Sequence, residues 1–81
     1  MTRIKILGTG CAKCEKLYQE AVKAVEQTGV QAEVVKVQDL PQIMEYGVAF
    51  TPGLVIDEQV KSSGRVVRAV EIARMLEALK G

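Results

Sequence analysis

The sequence predicts an α/β fold: a four-stranded mixed sheet flanked by three helices, in the order β-α-β-α-β-β-α. Three observations predict it. Arg3-Ile4-Lys5-Ile6-Leu7 alternates in polarity, and the apolar period changes to that of a helix after Gly10. A second β-rich run, Ala32 to Val37, follows that helix and asks for a parallel pair with a right-handed crossover. Two short apolar runs then lie a few residues apart, before a last helical stretch. That arrangement asks for an antiparallel hairpin covered by a helix.

Each element has a local reason. Strand one covers residues 3–7, and Gly8-Thr9-Gly10 ends it in a flexible turn. From Cys11 to about Thr28, Cys14, Leu17, Tyr18, Ala21, Val22 and Val25 fall on one helical face. Lys16, Glu20, Lys23 and Glu26 read as its solvated face. Gly29 suits the C′ position, with Val30 able to pack back on the last turn. Asp39 can cap a short second helix, which tolerates Pro41 in its first turn and ends at Gly47. Ile43, Met44 and Tyr46 are its expected apolar side, and Met44 and Met75 are both expected in the core. Leu54-Val55-Ile56 reads as strand three and Val60 to Ser63 as a weaker strand four. Asp57-Glu58-Gln59 must turn between them without the usual Gly or Asn. Arg65 to Lys80 returns to helical spacing through Ala69, Ile72, Ala73, Leu76 and Leu79, with no local capping residue.

The 81 residues read as one domain, spanning residues 1–81. A chain this long buries roughly 60% of its extended surface, enough to fold without metal or multiple staples. Tyr18, Tyr46 and Phe50 are the only aromatics, so aliphatic residues must build the core. The net charge is +1, and the cations lie scattered among acids rather than in a stripe, which argues against a nucleic-acid surface. No apolar stretch approaches the roughly 20 residues of a membrane span. Met1-Thr2-Arg3 leads into a run too short for a secretory signal, so a reducing cytoplasm is the expected compartment.

Cys11 and Cys14 are the only cysteines. In a reducing compartment this spacing favours redox chemistry or metal binding over a structural bridge. The size of the loop agrees. Chain entropy credits a bridge this short with about 2 kcal/mol, against about 4.5 for one spanning the chain.

Two segments carry a family resemblance. Ile6-Leu7-Gly8-Thr9-Gly10-Cys11-Ala12-Lys13-Cys14 feeds a strand into a Cys-x-x-Cys helix start. Tyr46 to Ile56 contains Gly47-Val48 and Thr51-Pro52 ahead of an apolar strand. In this order the chain resembles the small thioredoxin-fold redox-active disulfide proteins, between thioredoxin and glutaredoxin. Gly64 matches a family glycine near the last helix. Gly10 stands where thioredoxin has Trp, Ala12-Lys13 replaces Gly-Pro, and strand one lacks the family's buried Asp.

The resemblance implies a thiol–disulfide oxidoreductase, most simply a protein disulfide reductase, with Cys11 and Cys14 as the reacting pair. Cys11 would stand at a helix N-terminus, where amide N–H groups favour the thiolate that attacks. Cys14, one turn on, would be the buried resolving thiol. Lys13 would add a positive field, and Gly10 and Lys13 are the expected tuning residues. The resemblance also implies a cis bond at Thr51-Pro52 and a peptide-docking role for Thr51 and Pro52. Phe50 is expected either to anchor a substrate or to pack. No resident cofactor is expected. The expected partners are disulfide-bearing proteins and a separate reductase or small thiol that supplies electrons. The chain is expected to act as a monomer, without membrane or nucleic acid. Two other readings use the same cysteines: a Cu(I) carrier, since two thiolates suit a soft ion, and a non-catalytic module whose thiols act as a redox switch.

Overall fold

The computed structural model describes residues 2–80. Its elements are β1 (Thr2–Leu7), α1 (Ala12–Thr28), β2 (Ala32–Val37), α2 (Leu40–Glu45), β3 (Gly53–Ile56), β4 (Gln59–Ser63) and α3 (Ala69–Lys80). The strands lie in the order β2-β1-β3-β4. β1 runs parallel to β2 and antiparallel to β3, which pairs antiparallel with β4. This is the expected mixed sheet.

The pleat of β1 sends alternate side chains to two separate cores. Ile4 and Ile6 join Leu54 and Ile56 of β3 under Leu17, Ala21 and Ala24 of α1 and Ile72 and Leu76 of α3. Leu7 and Val55 point the other way and meet Val37 and Ile43, with Tyr46 and Val48 packed beside them. Helices therefore cover both faces of the central strand. That is why every residue of β3 is buried, and why it reads as an unbroken apolar run.

Three local expectations need correction. The last helix starts at Ala69, four residues later than its apolar spacing suggests. Its missing local cap is replaced from a distance: the Ala69 N–H donates to Glu20 Oε1 at 3.0 Å. Glu20 therefore does not belong to a solvated face; it is 8% exposed. Met44 is not core either, because α2 is a single short helix and lays only Ile43 on the sheet, leaving Met44 72% exposed. Met75, by contrast, packs against the larger core.

The other caps follow the sequence. Gly29 closes α1 with φ +68° and donates its N–H to the Val25 carbonyl, while Val30 packs against the larger core. The Asp39 carboxylate accepts from the Gln42 N–H at the start of α2. The β3–β4 hairpin turns through Asp57 and Glu58 alone, at φ +49° and +66°. Residues with a side chain disfavour that region. Here the neighbouring strand compensates. The Arg3 N–H donates to Asp57 Oδ1 and the Asp57 N–H to the Arg3 carbonyl. Glu58 accepts from Lys5 Nζ at 2.7 Å and from the Tyr46 hydroxyl at 3.0 Å.

Candidate active site at the start of helix α1

The strand-to-helix junction determines where the two sulfurs sit. Cys11 is the N-cap of α1, with extended backbone dihedrals, and its Sγ accepts the Cys14 N–H at 3.2 Å. The sulfur thus takes the place of the Ser or Asp oxygen that usually satisfies a first-turn amide. Helix geometry brings the residue three positions on back over the cap. The Cα atoms of Cys11 and Cys14 are 5.1 Å apart, and the two sulfurs are joined as a disulfide. Their surroundings differ. Cys11 is exposed, whereas Cys14 is 5% exposed and faces the sheet one turn below.

Gly8 makes room for the buried sulfur. A side chain there would overlap Cys14 Sγ, and its Cβ would stand 3.9 Å from Cβ of Thr51. That overlap also locates the second segment: the Thr51 side chain lies across Gly8 from Cys14. The Thr51–Pro52 bond is cis. Pro52 is buried and its carbonyl accepts the Gly64 N–H at 2.8 Å, while Thr51 is exposed. The two segments 40 residues apart in sequence (residues 11 and 51) thus meet at one end of the sheet.

A family model described as Thioredoxin domain matches residues 2–77. The chain belongs to the thioredoxin domain family. It is 42% identical over 76 residues to a thioredoxin of Methanothermobacter thermautotrophicus, a match covering 94% of this chain and 99% of that one. It is 41% identical over 78 residues to a thioredoxin of Methanocaldococcus jannaschii, covering 96% and 90%.

Against this thioredoxin frame, the remaining expected site residues fall as follows. Gly10 has φ +92°, a conformation that disfavours Trp or any other side chain, so the approach to Cys11 is bare backbone. Lys13 is exposed in the first turn of α1. Phe50 does not pack inward; it is 71% exposed, in the loop that leads to Thr51. Spacing alone did not reveal Gly8, whose role depends on a contact across six residues of chain. Nor did it reveal the ion pair beside Cys14, in which Lys36 Nζ donates to Glu15 Oε2 at 2.8 Å. Lys36 also lies 4.6 Å from the centre of the Tyr18 ring, so α1 holds this strand residue from two positions. Among the described residues, no three His, Cys, Asp or Glu side chains come together as a metal site. No helix among them is long and apolar enough to cross a membrane.

Proposed function

We propose that this protein is a thiol–disulfide oxidoreductase in which Cys11 attacks and Cys14 resolves. One observation carries the reading: the first-turn amide of α1 is aimed at the sulfur of Cys11, an exposed residue, while Cys14 is buried beneath it. The amide and the helix end, worth roughly half a positive charge, favour a thiolate at Cys11 once the pair is reduced. That thiolate attacks one sulfur of a substrate disulfide. The other substrate sulfur leaves with the bonding electrons and takes a proton from solvent. Cys14 then loses its proton and attacks Cys11 Sγ, forming the intramolecular disulfide and releasing the second substrate thiolate. Two electrons have passed from the dithiol to the substrate. A donor dithiol reverses the sequence and restores the reduced pair.

Thr51 and Pro52 border this centre. An extended peptide lying beside exposed Thr51 would have its disulfide next to Cys11, and we assign these two residues to substrate positioning. Gly10 leaves the approach open, and Lys13 adds positive charge near the attacking sulfur. The partners are proteins bearing disulfides and a separate reductase or small thiol; the chain acts as a monomeric unit in a reducing cytoplasm. A Cu(I) carrier built on a strand and a Cys-x-x-Cys helix would run β-α-β-β-α-β. The extra α2 and the terminal α3 of this chain fit the exchange reading instead.

Trapping tests the reading. With insulin and an added dithiol, the native protein should turn over insulin disulfides. The Cys14→Ser variant should accumulate a mixed disulfide at Cys11. Absence of turnover together with absence of the adduct would rule the proposal out.

A further inference from the structure

Phe50 directly precedes Thr51, and its side chain is 71% exposed. A single apolar residue on a surface carries no message by itself. Its place does here. Thr51 lies across Gly8 from the buried Cys14, so the chain on either side of Thr51 borders the reacting pair. The base of the Phe50 side chain rests on Gly64: a Cβ at that glycine would stand 3.1 Å from Phe50 Cβ and 3.8 Å from its Cγ. Gly64 is itself tied to this segment, its N–H donating to the Pro52 carbonyl at 2.8 Å. Its φ of +80° suits a residue without a side chain. The bare glycine thus seats the base of the side chain and leaves the ring in water. Gly10, Lys13, Thr51 and Gly64 offer no other apolar side chain around Cys11.

We infer that Phe50 is a specificity-determining residue, a platform that selects substrate disulfides in which an apolar residue adjoins the reacting cysteine. This rests on the exchange reading above, with the substrate chain lying beside Thr51. A peptide that brings its sulfur to Cys11 along that line carries the side chain next to its cysteine past the Phe50 ring. An apolar side chain there removes ring surface from water. A polar one gives up hydration to a ring that offers no hydrogen-bond acceptor in return. The other flank differs. β2 and β3 lie on opposite sides of β1, so Gln38, just past β2, and Thr51, just before β3, border the site from opposite sides. On the Gln38 side Gly10 presents bare backbone, and the side-chain atom nearest to a Cβ placed on it would be Gln38 Nε2, at 3.9 Å. Apolar selection therefore acts on one side of the substrate cysteine, the side that meets Phe50.

The test uses reduced full-length protein and two synthetic peptide disulfides, each a symmetric dimer of a short peptide with a single cysteine. Leucine flanks the cysteine on both sides in the first peptide, and serine does so in the second, which makes chain direction immaterial. Released peptide thiol, separated by chromatography, gives the rate for each. Dividing by the rate at which a small free thiol cleaves the same peptide removes their difference in intrinsic reactivity. The native protein should favour the leucine peptide about tenfold, the low end of what a small apolar difference yields in an apolar pocket. Phe50→Ala should bring that ratio close to one, mainly by slowing the leucine peptide, and Phe50→Leu should retain most of it. Met44 is 72% exposed but lies on α2, so Met44→Ala should keep the ratio. Should Phe50→Ala fail to fold by circular dichroism, Phe50→Gln, which keeps a long side chain without an apolar ring, decides in its place. The inference is overturned if the native ratio is near one, if it survives the loss of Phe50, or if Met44→Ala removes it as well. Failure of the native protein to cleave either peptide would instead overturn the exchange reading itself.

Discussion

Helices α1 and α3 pack side by side on one face of the sheet, yet they begin in opposite ways. α1 opens at the surface, and the atom that satisfies its first-turn amide is the sulfur of Cys11. α3 opens in the interior, and its first amide is satisfied by a carboxylate borrowed from α1, Glu20. Both ends present the same unsatisfied N–H groups. Burial decides their use. An exposed end capped by a thiol has anion-stabilising power left for chemistry; a buried end capped by a carboxylate spends it on joining two helices.

Exchanging the caps should separate function from stability. Cys11→Ser has the largest expected effect on function. Exchange should fall to the uncatalysed level, because the hydroxyl cannot take part in disulfide transfer. Stability measured against the reduced protein should change little, since serine is a good N-cap. An insulin-reduction assay and a denaturant titration check both halves. If the variant unfolded readily, the division of labour between the two helix ends would be wrong.

Glu20→Ala should do the converse. It leaves the Ala69 N–H buried without its acceptor, a loss of about 1–2 kcal/mol. For a domain of this size each kcal/mol lowers Tm by about 4–8 °C. Exchange by the folded protein should persist. The Lys16 and Lys23 ammonium groups, 3.7 and 3.6 Å from Glu20, are largely exposed and add little.

The same carboxylate should appear in the pH dependence. The Ala69 N–H holds Glu20 below the usual carboxylate range; burial opposes it as the next-largest effect, and the charges of Lys23 and Lys16 add to the lowering. A carboxyl group lowered in the folded state contributes its full stabilisation above its unfolded pKa of about 4.3. That contribution drains away as pH falls from there through the folded value. Denaturant midpoints should therefore drop on the acid side, and Glu20→Gln, which keeps a neutral acceptor, should flatten the drop. It should not abolish it, because Glu58 is also held low, first by Lys5 and then by the Tyr46 hydroxyl.

The smallest effect belongs to Lys5. The Glu58 carboxylate and then the Tyr46 hydroxyl raise its pKa. Its contribution is complete below the unfolded value of about 10.4 and is lost as pH rises through the folded one. Lys5→Met should remove a shallow alkaline decline in stability and leave exchange unchanged, because the residue points away from α1. A marked loss of exchange would tie the α2 face to the active site.

The contrast between the helix ends also marks what the amino-acid order reveals. Features set by neighbours in sequence are legible there. The alternation of β1, the αL glycine after α1, Asp39 before α2 and the Cys11–Cys14 pair are of this kind. Roles set by tertiary contact were hidden. Glu20 falls among the polar residues of an amphipathic helix, and only the packing of α3 against it turns it inward. Met44 has helical spacing to Leu40, but α2 turns that face to solvent and buries only Ile43. Gly8 is indistinguishable from a turn glycine until Cys14 is folded over it. Glu15 and Lys36 meet only because β2 lies alongside β1 under α1. The cis bond at Thr51–Pro52 is legible through family resemblance, not through any local pattern of polarity.

The most direct measurement is the rate of alkylation at each cysteine in the fully reduced protein, resolved by peptide mass spectrometry as a function of pH. The helix-end account predicts that Cys11 reacts first, with a titration midpoint below the roughly 8.5 of an ordinary thiol, while Cys14 stays protected until the protein unfolds. Faster modification of Cys14, or a Cys11 midpoint at the ordinary value, would contradict it.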